Sequence, residues 1–167
     1  MSANVYRPHL VVLPEDDAYR QLMNGAKLAP PINYRCIEVE KPLGGWSVVL
    51  EAMASWEPKL RRYPKMHLLL LIDFDNDFAA RYNRFVEQSR QLGYFDRTFL
   101  LGIDHREAED LKRAQQNRFE DIGKALVEGC PDSAQINPAW NETHLRCNLP
   151  EIARMRESGV FEWLFAS

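Results

Sequence analysis

An unbroken apolar run from Leu68 to Ile72, entered through Met66 and His67 and followed by Asp73, Asp75 and Asp77, constrains this chain more than any other stretch. It is too short to span a bilayer and too uniform for a strand with one wet face, so it predicts a central strand buried on both sides. The acids then fall at its carboxyl end. In extended backbone, residues i and i+2 project to the same side, so Asp73 and Asp75 are expected to share a direction while Phe74 turns into the core. Like charges held that close repel unless a proton or a cation lies between them, and hard oxygen donors favour Mg²⁺ or Mn²⁺. A plainer role competes, because Asp75, Asn76 or Asp77 is needed as N-cap for the helix that follows.

The rest of the composition narrows the class. At 167 residues, 46% hydrophobic and 27% charged, the chain is long enough and apolar enough for one globular domain spanning 1–167. A formal charge of −3 excludes an overall basic field of the kind that sequence-independent duplex binders carry, so any nucleic-acid contact must be local. Cys36, Cys130 and Cys147 are widely spaced and odd in number, which favours a reduced, cytoplasmic setting over a disulfide framework. His9, His67, His105 and His144 show no zinc-ligand spacing. No long apolar span or secretion signal is found, so no membrane association is expected.

A second strand-end cluster precedes the first. His9 to Leu13 reads as a strand closed by Pro14 and then Glu15-Asp16-Asp17, and helical spacing follows to Gly25, the expected stop. Asp16 or Asp17 serves as cap. Glu15 is a poor N-cap type, which makes it the more telling acid. Tyr34 to Glu40 predicts a strand at the sheet edge. Gly44-Gly45 introduces a helix carrying Trp46, Val49, Leu50, Met53, Trp56 and Leu60, with Pro58 near its end. After the central strand, Phe78, Tyr82, Phe85, Val86 and Leu92 mark another helix, which Gly93 stops. Arg97 to Ile103 predicts the fourth strand. The acids beyond it, Glu107, Glu109 and Asp110, sit where they complement a helix dipole, with Glu109 also a candidate third acid of the site. A helix over 119–127 and a C-terminal helical extension over about 129–167 complete the chain. Val160 to Phe165 fits a strand or a helical turn equally. No segment after Arg113 carries a chemical signature.

Four alternations of strand and helix between His9 and Val127 predict a three-layer, Rossmann-like α/β domain, core about 8–128, around a mainly parallel sheet. Right-handed crossovers and a reversal of strand order predict the sequence 2-1-3-4, with the first and third strands side by side. Their carboxyl ends then flank one crevice, where Glu15 meets Asp73 and Asp75.

Leu10-Val11-Val12-Leu13-Pro14-Glu15-Asp16-Asp17 and Leu69-Leu70-Leu71-Ile72-Asp73-Phe74-Asp75 together resemble the TOPRIM domain of topoisomerases, primases and several nucleases, over roughly Pro8 to Arg113. Glu109-Asp110-Leu111 resembles the further acid found in nuclease-type members. Asp16 stands where the family usually has glycine. The resemblance implies Mg²⁺ or Mn²⁺ held by Glu15, Asp73 and Asp75, with Asp77 and Glu109 as further candidate ligands, and a metal-dependent nuclease acting on DNA or RNA. Arg20, Arg81, Lys112 and Arg113 lie near the acids in sequence and are candidates for holding substrate phosphate. A response-regulator receiver with Asp73 as phosphoacceptor is the alternative, although the fourth strand lacks its terminal Thr or Ser. A binding or assembly module without chemistry, engaging a protein partner or a second copy, is a further one. An Asp-x-Asp phosphatase fits less well, because its motif normally follows the first strand.

Overall fold

The computed structural model describes residues 2–104, 111–113, 117–128, 130 and 138–165. Strands β1 (His9–Pro14), β2 (Ile37–Val39), β3 (Met66–Asp73) and β4 (Thr98–Ile103) form a parallel four-stranded sheet in the order β2-β1-β3-β4. This is the expected α/β architecture and order. Pairing runs from His9 opposite Met66 to Pro14 opposite Leu71, and from Leu68 opposite Thr98 to Asp73 opposite Ile103. β3 and β4 thereby end level, at Asp73 and Ile103, and β1 ends opposite Leu71, just short of them.

Alternation along β1 and β3 builds a core on each face of the sheet. Leu10, Val12, Leu69 and Leu71 face α1 (Asp17–Lys27), α4 (Phe119–Val127), α5 (Leu149–Glu157) and α6 (Val160–Leu164). Val11, Leu13, Leu68, Leu70 and Ile72 face α2 (Trp46–Arg62) and α3 (Phe78–Leu92). Phe74 is fully buried in the second core, as its place between two acids requires.

Two local expectations are corrected and an open one is decided. Gly25 does not end α1, which runs to Lys27; a Cβ on Gly25 would lie 1.8 Å from the Glu120 carbonyl oxygen, and one on Gly123 would lie 1.8 Å from that of Leu22. These glycines let α1 and α4 pack backbone to backbone. The edge strand is only Ile37–Val39, because Tyr34–Cys36 forms a 3₁₀ turn before it. Val160–Leu164, which fits either template in sequence, is helical.

Among the described residues, the outer edge of β4 is closed by side chains and not by a further strand. Asn148 accepts from the Gly102 N–H at 2.9 Å and donates to the Gly102 carbonyl at 2.7 Å. Glu151 accepts from the Leu100 N–H at 2.9 Å, and Arg154 donates to the Thr98 carbonyl. A short helical segment thus satisfies an edge that would otherwise template pairing with another chain.

Candidate functional site

Glu15 follows β1 directly, its N–H bonded to the Leu71 carbonyl at 2.9 Å, so it continues the ladder one residue beyond the strand. Its Oε2 accepts the Asp73 N–H at 2.7 Å across the gap between β1 and β3. The two acids meet as strand order requires. Asp16, next in line, caps α1 by accepting from the Tyr19 N–H at 3.2 Å. Asp17 is exposed and holds Arg20 and Gln21 on the helix surface.

Asp73 sits beside the fully buried ring of Tyr19, whose hydroxyl lies 2.5 Å from Asp73 Oδ1 and 2.9 Å from the Ile72 carbonyl oxygen. The Ile103 N–H donates to the same hydroxyl at 3.3 Å. A phenol has one proton and cannot give it to both oxygens at once. Burial pushes the Asp73 carboxyl up to about 7; the Tyr19 hydrogen bond opposes the shift, and the charges of Glu15, Asp16 and Asp75 add to it. Glu15 is also raised, first by burial and then by Asp16 and Asp75, against the lowering effects of the Asp73 N–H and Arg81. Tyr19 is held well above its ordinary range by burial and by Asp73.

Asp75 reaches the site differently from the expected strand geometry. β3 ends at Asp73, and Asp75 and Asn76 take left-handed backbone angles, with φ of +50° and +59°. The turn, not the pleat, aims Asp75. Its carboxylate pairs at 2.7 Å with Arg81 of α3, which also donates to the Asp73 carbonyl oxygen. Arg81 is nearly buried and stacks on Trp46, 4.3 Å from the ring centroid. Trp46 is brought there by the Gly44 N–H, which donates to the Glu15 carbonyl at 2.8 Å and ties the start of α2 to the end of β1.

The remaining candidates divide cleanly. Asp77 occupies the N-cap position of α3, is exposed, and makes no side-chain cap bond. Arg20 is engaged by Asp17, and the Lys112 ammonium lies over Phe119 at 5.3 Å; neither touches Glu15, Asp73 or Asp75 among the described contacts. Arg113 is exposed. Glu109 lies outside the described residues. Sequence reading missed Tyr19, because an aromatic at helical spacing reads as core, and missed Trp46 for the same reason.

Glu15 and Asp73 offer hard oxygen donors of the type a divalent ion takes, each with one oxygen beyond those bonded to protein partners. Among the described residues no three His, Cys, Asp or Glu side chains gather as a metal-holding group. A two-carboxylate site is what Mg²⁺ ordinarily uses when water and phosphate oxygens complete its shell. Glu15 and Asp73 are the residues that could hold such an ion, whereas Asp75 is paired with Arg81. No described helix is long and apolar enough to cross a membrane. Compared with known proteins, the chain matches no family model, no curated protein and no solved structure.

Proposed function

We propose that the paired ends of β1 and β3 form a Mg²⁺- or Mn²⁺-dependent phosphoryl-transfer site that hydrolyses phosphodiester bonds in DNA or RNA. The observation that carries this reading is the 2.7 Å bond between Glu15 Oε2 and the Asp73 N–H, which sets two partly buried acids side by side with raised proton affinities. Two acids pushed towards neutrality in one crevice mark a place suited to proton transfer or to a cation. Bound to Glu15 and Asp73, the ion would supply charge neutralisation at phosphate oxygens and a more acidic water.

The chain's own groups would do the rest. Glu15, raised by burial, suits it to accept the proton of the attacking water or return one to the leaving oxygen. Tyr19 fixes the Asp73 rotamer by its hydroxyl. Arg81 presents a planar guanidinium that can exchange the Asp75 carboxylate for a phosphate. Three free cysteines, two of them buried, support a reducing cytoplasmic setting.

Single- and double-stranded DNA and RNA incubated with the purified protein in Mn²⁺ test the reading. Cleavage should fall by about 10²- to 10⁴-fold in Asp73→Asn. Equal cleavage by wild type and variant would assign the activity to a contaminant and end the proposal. A receiver-like phosphoacceptor is the second reading, favoured by the position of Asp73 at the end of the central strand. Acetyl phosphate should then add one phosphoryl group to the intact mass of wild type and none to Asp73→Asn, whereas the nuclease reading expects no stable adduct on either.

A further inference from the structure

Beside the acids, Arg81, a phosphate candidate from the sequence, is joined by two side chains the sequence did not single out for that role, Trp46 and Arg84. Arg81 and Arg84 occupy positions i and i+3 of α3, hence the same face of the helix, and both guanidinium groups lie over one indole ring. Their carbons are 4.3 Å and 5.2 Å from the Trp46 centroid. Stacking on a half-buried ring orients a guanidinium while leaving its edge N–H groups free to bond. The two arginines differ in what they already hold. Arg81 is 11% exposed and is engaged by Asp75 and the Asp73 carbonyl oxygen. Arg84 is 42% exposed, and its acidic neighbour, Glu51, stands 3.9 Å away with 66% of its own side chain in solvent. Such a long, wet pair is worth little and yields readily to a phosphate.

We propose that Trp46, Arg81 and Arg84 form a clamp for adjacent phosphates of one nucleic-acid strand, placing the strand so that one phosphate reaches Glu15 and Asp73. This rests on the phosphodiester reading of the strand-end acids and names the substrate as a chain rather than a mononucleotide. Residues three apart on a helix have Cβ atoms roughly 5–6 Å from one another, close enough for the two guanidinium groups to engage neighbouring phosphates of one strand. The chain's net charge of −3 agrees with a local grip rather than a long basic track. Trp46 acts as a positioning residue, because it reaches the phosphate only through the arginines.

Fluorescence anisotropy of a short labelled oligodeoxythymidine, bound to the whole chain in Ca²⁺ over a salt series, tests the clamp apart from turnover. Arg84→Gln, an exposed change that urea unfolding should show to be neutral, is expected to weaken binding about 3- to 10-fold and to lower the log–log salt slope by about 0.7, the contribution of one single-strand phosphate. Trp46→Phe should keep most of the affinity, and Trp46→Leu should lose it. Thymidine monophosphate should compete equally poorly against wild type and Arg84→Gln. Equal affinity and slope in wild type and Arg84→Gln, or no binding by wild type, would overturn the clamp. Unchanged binding in Arg84→Gln with cleavage intact in Mn²⁺ would reject the clamp and keep the hydrolytic site; the predicted slope change without cleavage of any substrate would keep the clamp and reject hydrolysis.

Discussion

Two polar clusters built on carboxylates interrupt the apolar sheet, one around Glu151 at the outer edge of β4 and one at the ends of β1 and β3, and they are satisfied to very different degrees. Glu151 is almost wholly buried, yet its oxygens take hydrogen bonds from Tyr82, the Leu100 N–H and two nitrogens of Arg154. Arg154 in turn reaches the carbonyls of Phe95 and Thr98 and lies over the rings of Phe95 and Phe99. Every polar atom there has a use within the fold. At the other cluster, Glu15 and Asp73 share one N–H and one phenol proton, and burial raises both proton affinities. A satisfied buried charge network secures a structure, whereas an under-satisfied one leaves binding capacity for something outside the chain.

This contrast can be broken most sharply at Glu151. Its replacement by Ala should cost about 3–5 kcal/mol in urea unfolding, because Arg154 and the Leu100 N–H would be left buried without their acceptor. A loss below about 1 kcal/mol would show that the edge cluster is not the structural one. Asn148→Ala, which strands both the N–H and the carbonyl of Gly102, should cost about 1–3 kcal/mol by the same measurement.

The strand-end cluster should respond to pH instead. Asp73 holds its proton more tightly when folded, at about 7, than the ordinary carboxyl does at 3.8. The folded chain therefore binds more protons between these values, so this contribution is fully present below the ordinary value and is lost as pH rises towards 7. Asp73→Asn should flatten that decline, gaining on wild type as pH climbs from 4 to 7, and urea midpoints across the range would show it. A constant difference between the two proteins would place the raised affinity elsewhere. The smallest effect is the thermal one. Mg²⁺ or Mn²⁺ at ten times its dissociation constant should stabilise wild type by about 1.4 kcal/mol, a rise of roughly 3–6 °C in Tm for a chain of this size, and Asp73→Asn should abolish it. Unchanged melting in wild type would favour an assembly module in which Arg81 alone serves as the counter-cation.

Much of the framework was legible because it follows from local pattern. A uniform apolar run bounded by acids marked β3, turn residues separated the βα units, and handedness with strand reversal placed β1 against β3. Glu15 and Asp73 were found together for that reason. Gly25 was misread as a stop, because a glycine that ends a helix and one that admits a neighbouring helix look alike in sequence. Asp75 was assigned to the pleat, but the left-handed turn at Asp75 and Asn76 gives it to Arg81. Asn148 and Glu151 gave no signal at all, since their role is to satisfy an edge of β4 against which no strand pairs among the described residues.

The amino-acid order alone determined the layering, the sheet order and the coming together of two acids, because alternating hydrophobicity and chain chirality act through near neighbours. Tertiary packing decided which charges are matched and which are left wanting: Tyr19 beside Asp73, Arg81 on Asp75, Arg154 around Glu151. Such pairings join residues distant along the chain, and their strength is set by burial that exists only once the layers have closed.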